Sequence, residues 1–313
     1  TTDIFSVFQG QFNRTVSANL GMSYSICNVL AESGFNNVAR WVPFDMDESD
    51  LTNRIGNKMI RPTTVPQSLE ALIIEQAIAR EALRLSFKQH KEFAVHLKGV
   101  QTERTISDAF EQTSSGETLV NLMKLDLLVG SGGVLSHAPR RHQAARMLID
   151  AFLPEGITQL AVDSIFMMPQ LGILSTIHPK AAVEVFEKDC LIRLGTCIAP
   201  VGKTKQDQAV LQYEINLPNE RIGGELMPGE LKLIPASYEP LRVHLTPGKG
   251  LDIGAGNNEI LETKIYGGVV GIILDGRGRQ PFNLGDEAES RVHDLIRWSE
   301  NTDEYPKQEM AHV

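Results

Sequence analysis

One short stretch limits the fold more than any other. Leu125-Asp126-Leu127-Leu128-Val129 is a brief apolar run, Gly130-Ser131-Gly132-Gly133 follows it, and a helical pattern then continues through Phe152. Strand, glycine turn and helix in succession call for a sheet covered by helices, which is an α/β arrangement. Pro139 suits the first turn of that helix, and Ser136 stands where a cap is needed. Glycines also let a ligand approach the backbone, and a helix start favours anions. The turn lacks the G-x-G-x-x-G spacing and is not a Walker loop. On this motif alone, a strand–helix turn that holds no ligand reads equally well.

Upstream, residues 4–8 and 12–17 are β-rich and flank Gln9-Gly10, the pattern of a hairpin. A helix is predicted over 25–32 with Gly34 as its stop, and another over 48–59. Residues 61–66 carry two prolines and read as an extended linker. The strongest helix spans 67–89. At about 100° per residue, Ala71, Ile74, Ile78, Ala82 and Leu85 share one face, and Gln76, Arg80, Glu81 and Arg84 occupy the other. Glu75 falls inside the apolar arc, where a carboxylate needs an ion-pair partner, an edge position or a ligand. Further helices are expected over 163–174 and from Pro179. After about residue 191, strands dominate, at 210–216, 230–234, 241–245, 260–266 and 268–274. An amphipathic helix over 286–300 precedes a tail, 301–313, expected to fray. The predicted organisation is an α/β lobe over 1–190 with a helical insertion at about 40–122, a β-rich domain over 191–285, and a C-terminal helix and tail over 286–313.

Composition narrows the chemistry. The net charge is −9, from 30 basic and 39 acidic residues, which argues against a general nucleic-acid binder. Cys27, Cys190 and Cys197 form no Cys-x-x-Cys pair and no zinc spacing, as expected for packed thiols in a reducing cytoplasm. No apolar stretch reaches the roughly 20 residues of a membrane span. The eight histidines are scattered, with no His-Glu-x-x-His, and no Gly-x-Ser-x-Gly is present, so a metalloprotease or serine hydrolase finds no support. Gly254-Ala255-Gly256-Asn257-Asn258 reads as a hairpin turn, and Gly276-Arg277-Gly278-Arg279 as a solvated turn whose arginines could touch a phosphate. Thr1-Thr2-Asp3 places hydroxyls beside a carboxylate at a strand start, which suits phosphate and magnesium-water contacts. The chain opens within strand-like sequence, as a piece of a longer protein would.

The order of these elements carries a resemblance. Thr1-Thr2-Asp3-Ile4-Phe5-Ser6-Val7, a second strand and Asn19-Leu20-Gly21 resemble the second phosphate hairpin of actin-like (RNase H-like) ATPases. Leu127-Leu128-Val129-Gly130-Ser131-Gly132-Gly133-Val134 resembles their adenosine motif. More closely, Asn37-Val38-Ala39-Arg40-Trp41, residues 57–67, residues 75–82, residues 130–140 and residues 267–278 look like the MutL/GlmL family. These proteins accompany glutamate mutase (methylaspartate mutase) and are unrelated to the mismatch-repair protein of the same name. The resemblance implies an actin-like ATPase lobe, with ATP and Mg2+ as cofactors. It implies an ATP-dependent chaperone that reactivates an adenosylcobalamin-dependent mutase by releasing damaged cobalamin, without binding cobalamin catalytically. The implied partners are the mutase subunits and an N-terminal lobe carrying the first phosphate motif, with no nucleic acid and no membrane. A non-catalytic assembly subunit is the alternative. Thr1, Thr2, Asp3 and Gly21 become candidates for the phosphates, and Gly130, Ser131, Gly132 and Gly133 for the adenosine. Glu75 and Arg80 are weaker candidates, Arg80 by stacking on the base. The Asp-x-Gly-Gly opening of the second phosphate motif is missing from this sequence.

Overall fold

The computed structural model describes residues 1–8, 10–95, 118–203, 205, 207–279 and 288–310. Its first element is the expected hairpin. β1 (Thr2–Phe8) pairs antiparallel with β2 (Gln11–Ser17), and Gly10 turns the chain at φ +76°, where only glycine is unstrained. α1 (Ile26–Ser33) ends at Gly34 and leads into α2 (Phe35–Ala39). α3 (Glu48–Ile60) starts where Asp47 accepts from the Asp50 amide, and α4 (Leu69–Phe93) where Ser68 accepts from the Ala71 amide. α4 is the backbone of the helical layer, and the inner face of the hairpin lies on it through Ile4, Phe8 and Phe87. The segment joining it to the next strand, 96–117, lies outside the described residues.

β3 (Leu127–Gly130) leads through the glycine turn into α5 (Gly133–Ser136) and α6 (Arg141–Phe152). The single helix expected here is two. Ser136 caps neither; its hydroxyl donates to the Asp163 carbonyl, and Pro139 lies in the break before α6. β4 (Gly156–Asp163) was not anticipated, and the helix expected from residue 163 begins later, as α7 (Met168–Ser175). α8 (Pro179–Val185) follows, then a π-helical turn over Phe186–Cys190. The remaining strands are β5 (Leu191–Ala199), β6 (Val201–Gly202), β7 (Leu211–Asn216), β8 (Arg221–Leu226), β9 (Leu231–Ile234), β10 (Pro240–Pro247), β11 (Leu251–Asp252), β12 (Leu261–Tyr266) and β13 (Gly271–Asp275). α9 (Ala288–Asn301) and α10 (Lys307–Met310) close the described chain.

The strands form a five-stranded mixed sheet, β3-β4-β5-β13-β9, a four-stranded antiparallel sheet, β12-β10-β7-β8, and two two-stranded pairs, β1-β2 and β6-β11. Alternation along β13 shows how they stack. Ile273 faces the helical core with Ala77, Leu148 and Trp298, whereas Ile272 and Leu274 face the four-stranded sheet with Leu211, Ile215 and Leu245. The result is three layers: helices, five-stranded sheet, four-stranded sheet. β13 is buried along its whole length, which is why its sequence is a continuous apolar run.

Two expectations change. The boundary at 190/191 does not separate two sheets, because β5, β9 and β13 complete the sheet begun by β3 and β4. Strands apolar on both faces need a helical layer as well as a second sheet, and that layer combines helices of the first half of the chain with α9. The tail is also not frayed over 302–305: Thr302, Glu304 and Tyr305 are buried against α4 and α6, held by the contacts described below.

Candidate functional site

The glycine turn divides its work between two directions. Gly130 packs inward: a Cβ there would lie 2.9 Å from the Leu135 side chain and 3.0 Å from that of Leu148. Gly132 has φ +101°, and a Cβ added at Gly132 or Gly133 would meet nothing within 4 Å. Gly132 and Gly133 therefore present bare backbone to open space, while Gly130 lets the strand close onto α6.

Between these glycines, the Ser131 hydroxyl donates to Asp163 Oδ2 at 3.3 Å. Asp163 ends β4, the parallel neighbour of β3, and is fully buried. Its Oδ1 accepts from the amides of Ile165 (3.4 Å) and Met167 (3.2 Å), and its Oδ2 from that of Met168 (3.1 Å). One carboxylate thus ties two adjacent strand ends to the start of α7. It also holds Phe166 at φ +58°, a left-handed conformation that costs roughly 1–2 kcal/mol outside glycine. Sequence reading placed Asp163 at the start of a helix. The available signal was an aspartate followed by a serine, the chemistry of side-chain-bonded turns.

At the hairpin, Thr2 opens β1 opposite Ser17, and Asp3 pairs with Arg14 at 2.9 Å. Gly21 lies against the chain start, since a Cβ on it would come within 2.4 Å of the Thr1 nitrogen. Thr1 and Gly21 are thereby brought together, as are Ser131 and Asp163.

The two helical candidates have partners of their own. Glu75 takes the structural reading, an ion pair with Lys58 at 2.8 Å between α3 and α4. Arg80, expected on an open face where it could stack on a base, is only 4% exposed. Its Nε donates to Asp150 at 2.9 Å, its Nη2 donates to Glu304 at 2.6 Å, and it lies over the Trp41 ring. Gln76 and Glu81 of the same face are buried too, while Arg84 is half-buried. Gln76 accepts from the Tyr305 hydroxyl, and Glu81 accepts from Arg40, Arg84 and the Trp41 indole.

Nor is the arginine turn after β13 solvated. Arg277 bonds Asp150 at 2.9 Å and Asp275 at 2.7 Å, and Arg279 bonds Asp275 at 2.9 Å, all of them buried. Burial alone would push the Asp150 and Asp275 carboxyls up, but the surrounding guanidiniums outweigh it and hold both below the usual carboxylate range. Burial likewise disfavours the Arg80 charge, and Glu304 and Asp150 reverse that, raising its pKa. Asp150 comes from α6, Asp275 from the end of β13 and Glu304 from the tail. The network joins the helical layer to the sheet.

A cleft of about 300 Å³ lies between the two large sheets, lined by Asp126, Gln159, Thr196, Thr263 and Lys264 among others. It includes none of the glycine-turn or hairpin residues. Among the described residues no three of His, Cys, Asp and Glu gather as metal ligands, and no helix is long and apolar enough to cross a membrane. A family model described as MutL protein matches residues 1–190 of the chain. No curated protein and no solved structure matches it.

Proposed function

The chain belongs to the MutL protein family, and from that premise we propose that it is the C-terminal part of an ATP-dependent reactivating chaperone for an adenosylcobalamin-dependent glutamate mutase. The observation that carries the nucleotide part is the bare backbone of Gly132 and Gly133, between two strand ends locked by Ser131 and Asp163 inside the family-matched region. In an actin-like reading, this turn takes the adenosine, and Thr1, Thr2, Asp3 and Gly21 take one side of the phosphates. An upstream lobe supplies the first phosphate motif. Gly132 and Gly133 fit this role, whereas Gly130 supports it only through packing. Mg2+ would be held by phosphate and water rather than by a protein cage. ATP turnover supplies the free energy for opening the mutase so that damaged cobalamin leaves. The chain itself does not use cobalamin.

The test is reactivation of cobalamin-inactivated mutase by the full-length protein with Mg-ATP, read together with co-purification of the mutase subunits. Gly133→Val fills the open face with little cost to the fold, since an exposed substitution usually stays within about 0.5 kcal/mol. It should abolish ATP-dependent reactivation while leaving Tm in place. Undiminished reactivation by this variant sinks the nucleotide assignment. The 313-residue chain alone carries half of the proposed site. In millimolar Mg-ATP its Tm should move by less than about 2 °C, because a ligand stabilises only as RT ln(1 + [L]/Kd).

One observation favours a second reading, a non-catalytic assembly subunit. The Asp3 carboxylate, the acid nearest the proposed phosphates in sequence, is already paired with Arg14. Phosphate release by the full-length protein separates the two readings.

A further inference from the structure

The buried network sets the guanidiniums of Arg80, Arg146, Arg277 and Arg279 against the carboxylates of Asp150, Asp275 and Glu304, with no side chain more than 4% exposed. One positive charge is left over, and the contact lengths locate it. Arg80, Arg277 and Arg279 reach their carboxylates at 2.6–2.9 Å. Arg146 lies 3.3 Å from Asp150 and 3.4 Å from Glu304, and other arginines already hold both. The neighbouring carboxylates are engaged elsewhere: Glu81 pairs with Arg40 and Arg84, Asp303 with Arg140, and Glu155 acts on Arg279 and Lys91 rather than on Arg146. Burial opposes the charge of every arginine here; the carboxylates reverse this at Arg80 and Arg277 and fail to at Arg146. Arginine does not deprotonate in proteins, so a charge left this short of partners is costly.

Donors go unmet at the same place. Arg146 Nε and Nη1 and the Ser299 hydroxyl are buried with no hydrogen-bond partner among the described residues. Arg146 and Ser299 both line a cavity of about 20 Å³, walled by Trp41, Ile73 and Leu295. Glu304 and Tyr305 line it too, but Glu304 is turned to Arg80 and Arg146, and the Tyr305 hydroxyl is spent on Gln76. We infer that this cavity is a binding site for one monatomic monovalent anion, of which chloride is the type, held by Arg146 and Ser299. Size, hydrogen bonding and charge select that ligand. A space this small takes one water-sized species, which excludes sulfate, phosphate and organic carboxylates. Donors buried without a partner call for an acceptor. A water would accept their bonds and leave the surplus charge in place, whereas an anion removes it. Because Arg146 belongs to α6 and Ser299 to α9, the ion ties the C-terminal helix to the lobe.

Two measurements on the 313-residue chain test it. Crystals soaked in sodium bromide should show an anomalous peak within hydrogen-bond reach of Arg146 and Ser299. In solution, urea denaturation is followed as chloride replaces gluconate, an anion too large for the cavity, at constant ionic strength so that screening stays fixed. The response should saturate at the site, and chloride at ten times its Kd should raise the folding equilibrium constant about elevenfold. Ser299→Ala removes a hydroxyl that bonds to nothing in the protein, so it should fold normally and need more chloride for the same response. Arg146→Gln removes the surplus charge and should lose the response; if it does not fold, the parent chain and Ser299→Ala decide. Water alone in the cavity of the bromide crystals overturns the inference, as does a urea midpoint that chloride does not move. A bromide peak without a chloride response in solution is an adventitious ion only and overturns it. A response that Ser299→Ala leaves unchanged assigns chloride to another site and overturns it too.

Discussion

Glu304→Gln measures what the buried charge network does. Glu304 is 3% exposed, accepts from Arg80 Nη2 at 2.6 Å and lies 3.4 Å from Arg146 Nε. Glutamine keeps the shape, removes the charge and turns an amide donor toward guanidiniums that are themselves donors only. Burial already opposes the Arg146 charge and holds its pKa low, so that residue has least to spare. Removing one partner of a buried pair costs about 3–5 kcal/mol, because the other charge stays buried and uncompensated. For a chain of this size, about 2 °C of Tm accompanies each kcal/mol, giving a fall of about 6–10 °C. Urea denaturation should show a lower midpoint with an unchanged slope, meaning that the tail stays docked in the weakened fold. Glu184→Gln is the control: its pair with Lys180 is exposed, and the change should be within about 1 kcal/mol. If Glu304→Gln shifts Tm by no more than the control, the network does not brace the layers.

Other expectations follow from single residues. His90 is buried between the Ser6 and Thr15 hydroxyls, and burial holds its pKa below 6.5. Its contribution to stability is therefore complete above 6.5 and declines as pH falls below that value. His90→Gln should flatten the loss of unfolding free energy between about pH 7.5 and 5, leaving a remainder from His142, which burial also holds low. Gly195→Ala should cost at least about 3 kcal/mol or prevent folding, as its Cβ would lie 1.7 Å from the Gly271 carbonyl oxygen where β5 meets β13; soluble yield and urea midpoint are the readouts. Asp163→Ala strands the Ile165, Met167 and Met168 amides and should cost about 2–4 kcal/mol. Faster amide exchange at residues 165–168 than elsewhere would localise that loss.

The sequence by itself determined the elements whose cause is local. Alternation and Gly10 specify the hairpin, helical periodicity specifies α4, and an apolar run marks β13 as a strand. The glycine turn announced strand-to-helix close packing, and Gly130 meets that description. β4 escaped notice because Thr158 and Gln159 interrupt its apolar residues, and only pairing on both sides makes the segment a strand. The tertiary structure alone decided the fate of the charges. Read by period, Gln76, Arg80 and Glu81 belong to a solvent face; Arg80 is buried because Asp150 stands 70 residues away in sequence and Glu304 stands 224 away. Arg277 turns inward for the same reason, toward Asp150 127 residues away. A helical period reports how residues are spaced around an axis, and it contains nothing about a counter-charge that the fold delivers from another element. Burial of a charge is set by that delivery.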